Sequence, residues 1–300
     1  MSLEILPDPN GQFHKHFNRS SFMFPHGLSD HSLLKLPNLI DLASRLEKHD
    51  GCYWSNGSVN VTDRWEKGFD RRQSLRKTLE NIEENASLVI LKFGVHDPIV
   101  GPFFRDLLET IIRLSDREKT EEVLVARATI LIASPNRITA YHIDADVNYL
   151  FQIAGDKSFT VFDQTDRTLL TDEELERYFA GDESAARFKP DRQTEGTAYN
   201  LRAGFGVHVP CMAPHWAHNG RAVSIAVSCN FDLASFQRLR LIYMTNHRLR
   251  SIGFRPRSPS DGSWRDGAKV FGVRTVSTIR GLLRPQAANQ RMDAGWRPSG

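Results

Sequence analysis

Apolar positions along the chain predict helices in its first third and strands in its middle. Large apolar residues recur at helical spacing in residues 33–46, 73–86 and 102–114. Residues 87–93 form a short strand-like run between the second and third of these helices. In residues 123–133 β-branched residues become dense and partly alternate with small ones, which is typical of a strand. The pattern therefore changes from helical to β near residue 122.

Further short strands are expected after residue 133, with Pro, Gly, Asn and Asp in the connections between them. The predicted strands are residues 138–143, 149–153, 158–162, 206–209 and 223–231. Many short strands separated by turns favour a sandwich or barrel over a parallel α/β sheet. Helices are predicted at 171–179, where Thr171 and Glu174 have the spacing of a capping box, and at 236–249.

These elements indicate a mainly β protein with flanking helices, organised in four parts. A helical and mixed N-terminal part, residues 1–120, is expected to pack on a β core at residues 121–235. A basic helical segment follows at residues 236–285. The content of Pro, Ser, Gly and Arg rises after Gly253, and we expect residues 286–300 to lack fixed structure.

The charge of the chain is divided unevenly between the core and the C-terminal region. The 300 residues carry a net charge of only +3, with 40% hydrophobic and 25% charged residues, which is ordinary globular composition. Residues 236–300 hold 13 Lys and Arg against 3 Asp and Glu, so the remaining 235 residues are mildly acidic. Because these basic residues are spread out, we expect a solvated surface and no nucleic-acid partner. A homodimer through the helix at 236–249 is an alternative.

Cysteine usage and the chain's apolar runs point to a reduced, cytoplasmic protein without a membrane partner. The three cysteines, Cys52, Cys211 and Cys229, have no CxxC spacing, which excludes a disulfide framework and a multi-cysteine zinc site. No charged segment followed by an apolar one opens the chain, and the most apolar runs are too short or too charged to span a bilayer.

The candidate chemistry begins with His142 and Asp144 on a predicted strand. Residues two apart on a strand share one face, about 6 to 7 Å apart, so both side chains can reach one metal ion. An isolated HxD more often marks a polar strand face, and a third ligand is needed. His215, fixed by the nearby Pro214, offers one. Two histidines and a carboxylate suit non-haem Fe(II) and poorly suit a structural zinc site.

Two other histidines compete with His215 as the third ligand. His208 alternates with Val207 and Val209 on a predicted strand and could be a core residue or assist the site, and His218 ranks below His215. The chain has no HExxH, GxSxG or P-loop motif, so zinc-protease, hydrolase and nucleotide chemistry are not indicated.

Lys157 is a second candidate, at the start of a strand after the Gly155-Asp156 turn. A hairpin there would return it beside the strand of His142. A lysine on a barrel wall needs an anion, which the distal carboxylate of a dicarboxylic cosubstrate would supply. The residues alone leave this interpretation and an exposed turn lysine equally open.

The order and spacing of these residues resemble the JmjC/cupin-like Fe(II)- and 2-oxoglutarate-dependent oxygenases. That family has a Thr, the HxD pair, an Asn four residues on, a Gln-x-x-Gly turn and a Lys. Here they are Thr139, His142, Asp144, Asn148, Gln152, Gly155 and Lys157. Residues 204–219 and 224–231 resemble the strand of the distal histidine and the closing strand. The chain is most similar to bacterial cupin-like domain proteins and asparaginyl-hydroxylase-type members, over residues 124–231.

The resemblance implies a double-stranded β-helix (jelly-roll/cupin) core and an oxygenase activity. It implies Fe(II) as cofactor, 2-oxoglutarate and O₂ as cosubstrates, and decarboxylation to succinate coupled to oxidation of an unidentified small molecule or protein side chain. The implied iron ligands are His142, Asp144 and His215. Lys157 and Thr139 would bind the C5 carboxylate of 2-oxoglutarate.

The resemblance also places Asn148 and Asn230 along the cosubstrate pocket. From the residues alone, Asn148 could equally be a turn former, and Asn230 a buried amide satisfied by backbone. Trp216 and Tyr141 are expected to pack rather than bind substrate. Two other functions stay open: a cupin-type metal enzyme that does not use 2-oxoglutarate, and a non-catalytic cupin-like binding module.

Overall fold

Two antiparallel sheets form the centre of the molecule. The computed structural model describes residues 5–47, 51–64, 73–92, 94–116, 118, 122–260, 263–271 and 296–297. The strands are β1 (Phe22–Pro25), β2 (Cys52–Ser55), β3 (Leu88–Leu91), β4 (Val123–Ala133), β5 (Ile138–His142), β6 (Val147–Ala154), β7 (Asp156–Val161), β8 (Thr197–Arg202), β9 (Phe205–Val209), β10 (His215–Asn219) and β11 (Ser224–Leu233). The large sheet has the order β1-β9-β6-β11-β4-β3-β2, and the small sheet has the order β5-β10-β7-β8.

Helices flank the sheets on the N-terminal and C-terminal sides. They are α1 (Gln12–His16), α2 (Leu36–Leu46), α3 (Leu75–Glu80), α4 (Gly101–Leu114), α5 (Asp172–Phe179) and α6 (Ala234–Ser251). Three 3₁₀ turns lie at Ser32–Leu34, Gly94–His96 and Pro190–Glu195, and residues 264–271 are helical. None of the described helices combines the length and the apolar composition that crossing a bilayer requires.

The two sheets pack face to face around an apolar core. Buried side chains of the large sheet meet those of the small sheet there, among them Leu150, Val207, Ala226, Phe159 and Ala217. Since successive side chains of a strand point to opposite faces, the even-numbered residues of β6 that flank Leu150 also face this interior. The interior therefore combines an apolar wall with a few polar positions, which is the arrangement of a barrel that encloses a ligand.

The outer face of the large sheet is covered by aromatic residues of the N-terminal region. Tyr149 on β6 stacks on Phe13 of α1 with ring centroids 5.1 Å apart, and Phe151 meets Phe24 at 5.2 Å. Strand β1 extends the same sheet by pairing with β9. The N-terminal region thus holds the large sheet from outside and leaves the interior between the sheets for the candidate site.

The turn between β6 and β7 requires glycine. Gly155 has φ +68°, and a Cβ there would lie 2.5 Å from the carbonyl oxygen of Val223. Only glycine adopts this conformation at such close approach without strain. Strand β7 starts directly after this turn, at Asp156, so the turn fixes where Lys157 enters the barrel.

The predicted fold class is confirmed, and most predicted elements occur within a few residues of their expected bounds. The capping box is present: Thr171 Oγ1 accepts from the Glu174 amide at 3.2 Å, and the Thr171 amide donates to the Glu174 carboxylate at 2.8 Å. The helix predicted at 73–86 is wrong beyond Glu80. There the Asn81 side chain donates to the Lys77 carbonyl at 2.9 Å, so turns follow instead of further helix.

The boundaries of the four predicted parts stay predictions. Strands β1 to β3 belong to the N-terminal part, yet they are hydrogen-bonded into the same large sheet as the core strands. The expectation of an unstructured tail at 286–300 lies outside the described residues except for residues 296–297. At that point Trp296 exchanges two backbone hydrogen bonds of 2.8 Å with Ala126 on β4.

Candidate metal centre

Three side chains with metal-binding atoms converge at one end of the small sheet. His142 ends β5, His215 begins β10, and the two residues are directly opposite each other in the antiparallel register. Asp144 follows β5 by two residues. Its Oδ2 lies 3.8 Å from His142 Nε2 and 3.6 Å from His215 Nε2. One ligand atom from each residue lies within 4.8 Å of the others, so one ion can contact all three.

Hydrogen bonds to the backbone orient both imidazole rings. His142 Nδ1 donates to the Ala140 carbonyl at 2.8 Å, and His215 Nδ1 donates to the Ala213 carbonyl at 2.9 Å. A carbonyl can only accept, so the proton is on Nδ1 and the lone pair of Nε2 faces Asp144. Burial lowers the pKa of each histidine to about 4, which keeps both rings neutral at pH 7. Both rings are therefore ready to act as ligands.

The donor set of the site fits an iron-type ion. Two imidazole nitrogens and one carboxylate oxygen leave coordination positions open, as in the 2-His-1-carboxylate arrangement of non-haem iron proteins. The two histidine side chains are 7% and 5% exposed, whereas that of Asp144 is 39% exposed. The site is therefore walled by protein on the histidine side and open on the Asp144 side.

A tight turn ties the two ligand-bearing segments together. The Met212 amide donates to the Asp144 carbonyl at 2.8 Å, and the Phe162 amide donates to the Pro214 carbonyl at 2.8 Å. Met212 has φ +64°, an unusual conformation for this side chain, which is held by these contacts. The turn at residues 210–214 thus connects Asp144 to the start of β10.

Neither competing histidine reaches the site. His208 faces outward from the large sheet, where its Nδ1 donates to the Asn148 carbonyl at 3.0 Å and its Nε2 accepts from the Asn18 amide at 3.1 Å. Burial lowers its pKa to about 3, so it is a neutral structural residue. His218 is exposed, because alternation along β10 turns it away from the face that carries His215.

Lys157 lies in the interior of the barrel without an opposite charge. It is 7% exposed, and its cross-strand neighbours on the small sheet are Leu201 and Asn219. Among the described residues it makes no ion pair or hydrogen bond, and burial lowers its pKa to about 8. Of the two interpretations left open by the sequence, the exposed turn lysine is wrong.

Amide side chains of the large sheet face the same interior. The Oδ1 of Asn148 and the Oε1 of Gln152 are buried and have no hydrogen-bond partner. Thr139 is level with Ala217 across β5 and β10 and so faces inward as well. Unpaired buried polar groups are costly, and several of them around one buried cation are typical of a site that binds a polar ligand.

A chain of side-chain hydrogen bonds leads from Asn148 to the rim of the barrel. Asn148 Nδ2 donates to Ser228 Oγ at 2.9 Å, and Ser228 Oγ donates to Asn230 Oδ1 at 2.9 Å. Asn230 Nδ2 donates to Asp146 at 3.0 Å, and Asp146 accepts from Arg127 at 2.9 Å. Asn230 is therefore satisfied by side chains and not by the backbone.

Several residues around the site were not predicted from the sequence. Arg127 is held by Asp146 and by both carboxylate oxygens of Asp232. It is the one charged residue in the apolar strand 123–133, and this position in the sequence could have indicated a buried ion pair. Nothing in the sequence marks Asp232 as its partner. Burial raises the pKa of Tyr178 on α5, and the negative charges of Asp144 and Asp146 raise it further.

The aromatic residues predicted to pack do pack. Trp216 faces away from the interior, where its Nε1 donates to Gln193 at 3.2 Å and its ring meets Phe188. Tyr141 contacts Phe162 and Phe188 edge to face.

Two facing antiparallel sheets with inward polar residues and a His-Asp-His group define a double-stranded β-helix of the cupin class, as expected from the sequence. Among the solved structures that have this fold in common with the chain are two of the Escherichia coli protein YcfD. One covers 93% of this chain and 69% of its own length, at TM-score 0.51 and 12% identity. The other, described as a ribosomal oxygenase in complex with cobalt and 2-oxoglutarate, covers 93% and 68%, at TM-score 0.51 and 13% identity.

At this level of identity the likeness establishes the fold alone. No family model and no curated protein sequence matches the chain. The closer resemblance to asparaginyl-hydroxylase-type members stays a prediction.

Proposed function

We propose that the protein is an Fe(II)- and 2-oxoglutarate-dependent oxygenase. The observation that carries this proposal is the convergence of His142, Asp144 and His215 with both Nε2 atoms unprotonated, in a barrel whose interior also holds the uncompensated Lys157. A cupin-type enzyme without 2-oxoglutarate would leave that buried cation unexplained. A non-catalytic module would leave the metal-binding group unexplained.

His142, Asp144 and His215 would hold the metal ion. Bound Fe(II) supplies the oxidative chemistry that couples decarboxylation of 2-oxoglutarate by O₂ to oxidation of a substrate. The contribution of the chain is to fix the ligands before binding. Both rings are already oriented by their own backbone carbonyls, and Arg127 anchors Asp146 two residues beyond Asp144. Little reorganisation is then needed when the ion binds.

Lys157 and Thr139 would bind the C5 carboxylate of 2-oxoglutarate. The carboxylate would give Lys157 the anion that it lacks, and the Thr139 hydroxyl, on the inner face of β5, could donate to the same group. The ammonium group is a compact donor. A dicarboxylate could bind it without displacing an Asp or Glu side chain, since none of the described residues is paired with it.

Asn148 and Asn230 would line the pocket in different ways. Asn148 is buried on the inner face, where its Nδ2 donates to Ser228 and its Oδ1 would accept a hydrogen bond from a donor in the pocket. Asn230 would act through Ser228, whose hydroxyl it accepts, and so keep Asn148 in place. The exposed side of Asp144 is where a substrate would approach.

The substrate we propose to test first is a protein side chain. YcfD, which has the same fold, is described as a ribosomal oxygenase, so peptides from ribosomal proteins are a sensible first set, followed by small molecules. A protein of this activity would work in the cytoplasm, where 2-oxoglutarate is available. A homodimer through α6 stays a prediction.

Succinate formation tests the proposed activity. The protein is reconstituted with Fe(II) in air and supplied with 2-oxoglutarate, and succinate is measured with and without each candidate peptide. We expect slow succinate formation without substrate and faster formation with the right one. The metal-free protein is the control. An iron-loaded protein that forms no succinate above this control, with any candidate, would count against the proposal.

A further inference from the structure

We infer that Asn18, in the N-terminal region, is a positioning residue for the distal histidine His215. This inference rests on the proposed function, since it assumes that His215 binds the metal. Asn18 lies nearly two hundred residues from His215 in the sequence and does not touch it. It acts through the turn at residues 210–214, whose hydrogen bonds connect the two.

Asn18 makes three hydrogen bonds with separate parts of the barrel. Its side-chain Oδ1 accepts from the Cys211 amide at 2.9 Å. Its own amide donates to His208 Nε2 at 3.1 Å, and its carbonyl accepts from the Gln164 side chain at 3.3 Å. Asn18 has φ +52°, in the left-handed region where asparagine is among the best-tolerated residues after glycine. The residue type and the backbone conformation are therefore matched to these contacts.

The contact with Cys211 continues to the His215 ring. Cys211 is buried, and it directly precedes Met212, whose amide is bound to the Asp144 carbonyl. The Ala213 amide closes the turn on the Pro210 carbonyl at 3.1 Å, and the Ala213 carbonyl accepts from His215 Nδ1. Asn18 thus holds the Cys211 amide in the same turn whose Ala213 carbonyl sets the orientation of the His215 ring.

A second arm leads from Asn18 to the cosubstrate side. His208 accepts from Asn18 at Nε2 and donates to the Asn148 carbonyl from Nδ1, so its single proton is committed to Asn148. Asn148 is one of the two residues with an unpaired amide oxygen in the interior. One residue on the outside of the barrel is therefore connected to both the ligand turn and the pocket strand.

The N-terminal region stays docked by contacts that do not involve the Asn18 side chain. Phe13 stacks on Tyr149, and Phe17 lies parallel to His208 with ring centroids 6.3 Å apart. Both phenylalanines are about 1% exposed. Loss of the Asn18 side-chain oxygen would leave the buried Cys211 amide without an acceptor, so the turn would relax while the fold remains. Loss of this oxygen should therefore change the affinity for a metal ion more than the thermal stability of the fold.

Three variants of the full-length protein separate the hydrogen bond from the backbone conformation. Asn18→Gly keeps the left-handed conformation but removes the acceptor, and Asn18→Asp keeps both. Asn136→Gly is the matched control, because Asn136 also has a positive φ (57°) but is exposed, outside the turn that carries His215. Co(II) is titrated into each, with the affinity and the visible Co(II) spectrum as readouts, and thermal unfolding checks the fold.

We expect Asn18→Gly to weaken Co(II) affinity by about 10-fold and to alter the spectrum, as supporting hydrogen bonds of metal ligands commonly do. Asn18→Asp and Asn136→Gly should remain within about twofold of wild type. If Asn18→Gly does not fold, Asn18→Ser replaces it, since its oxygen lies one bond nearer the backbone and leaves the Cys211 amide unpaired.

Wild-type affinity and spectrum in a folded Asn18→Gly variant would overturn the inference. Equal weakening in Asn18→Gly and Asn18→Asp would overturn it too, because the acceptor would then be irrelevant. Failure of the wild-type protein to bind Co(II) would instead contradict the proposed function, so the two failures are distinguishable.

Discussion

His142 and His215 lie directly opposite each other on the neighbouring antiparallel strands β5 and β10, with ring centroids 4.2 Å apart. Each ring is held by the carbonyl two residues before it, so the two Nε2 atoms converge on the same space as the Asp144 carboxylate. The geometry comes from strand pairing and short-range hydrogen bonds, which form as the barrel folds. The site is therefore preorganised by the fold itself.

Loss of a metal-binding side chain should stop turnover of 2-oxoglutarate while the fold persists. We expect His142→Ala and Asp144→Ala to reduce succinate formation to background, because two remaining ligands hold the ion too weakly. Succinate assays and circular dichroism measure the two effects. His218→Ala is the matched control, since His218 lies on the same strand as His215 but is exposed. Full turnover in either ligand variant would mean that the metal assignment is wrong.

Replacement of Lys157 should weaken the binding of 2-oxoglutarate without lowering the stability of the fold. A charge-assisted hydrogen bond of about 2–3 kcal/mol corresponds to a rise in the KM for 2-oxoglutarate of about 30- to 150-fold in Lys157→Met. Because the lysine has no partner in the described structure, its removal should leave the melting temperature equal or higher. Steady-state kinetics and calorimetry measure both. Lys15→Met, at an exposed lysine, is the control. An unchanged KM together with a lower melting temperature would assign Lys157 a structural role instead.

The affinity for 2-oxoglutarate should fall as the pH rises above about 8. Burial lowers the pKa of Lys157 to about 8 in the free protein, so the ammonium group is present below that pH and lost above it. A bound carboxylate favours the ammonium form and raises the pKa, so binding takes up a proton at higher pH. The KM should rise by up to about tenfold per pH unit above 8. Lys157→Met should lose this dependence, and the same pH profile in that variant would contradict the explanation.

The ion pairs of Arg127 should contribute measurably to stability. Arg127 binds Asp146 and Asp232 in a half-buried setting, with side chains 16% to 23% exposed. Its replacement by Met leaves two carboxylates without a positively charged partner, so we expect a loss of about 2 kcal/mol in the free energy of unfolding. The exposed pair of Arg76 and Glu80 is the comparison, and Arg76→Met should cost at most about 0.5 kcal/mol. Urea denaturation measures both, and equal costs would show that burial of the network is unimportant.

The sequence predicted the parts of the structure that follow from local periodicity. Strand alternation placed His142 and Asp144 near each other, although Asp144 lies two residues beyond the end of β5. The glycine turn before Lys157 was recognised, but the residues alone left open whether that lysine is buried or exposed. Strand β10 was not predicted, because its inward positions hold His215, Ala217 and Asn219, which do not form a hydrophobic pattern. Strand β1 was not predicted, because it is only four residues long and ends in proline.

The contacts that support the site were beyond the reach of sequence patterns. The hydrogen bond between Asn18 and Cys211 joins residues 193 positions apart, and the ion pair between Arg127 and Asp232 spans 105. Each residue is ordinary in its own segment. Only the closing of the barrel brings the partners together, so their roles depend on the three-dimensional structure.

The central claim is that one site binds both Fe(II) and 2-oxoglutarate, and a spectroscopic titration tests it most directly. 2-Oxoglutarate is added to the Fe(II)-loaded protein without oxygen, and the visible absorption is recorded for the wild type and for Lys157→Met. We predict a metal-to-ligand charge-transfer band that saturates with one equivalent in the wild type and needs far more 2-oxoglutarate in the variant. An iron-loaded wild-type protein that develops no such band would contradict the account.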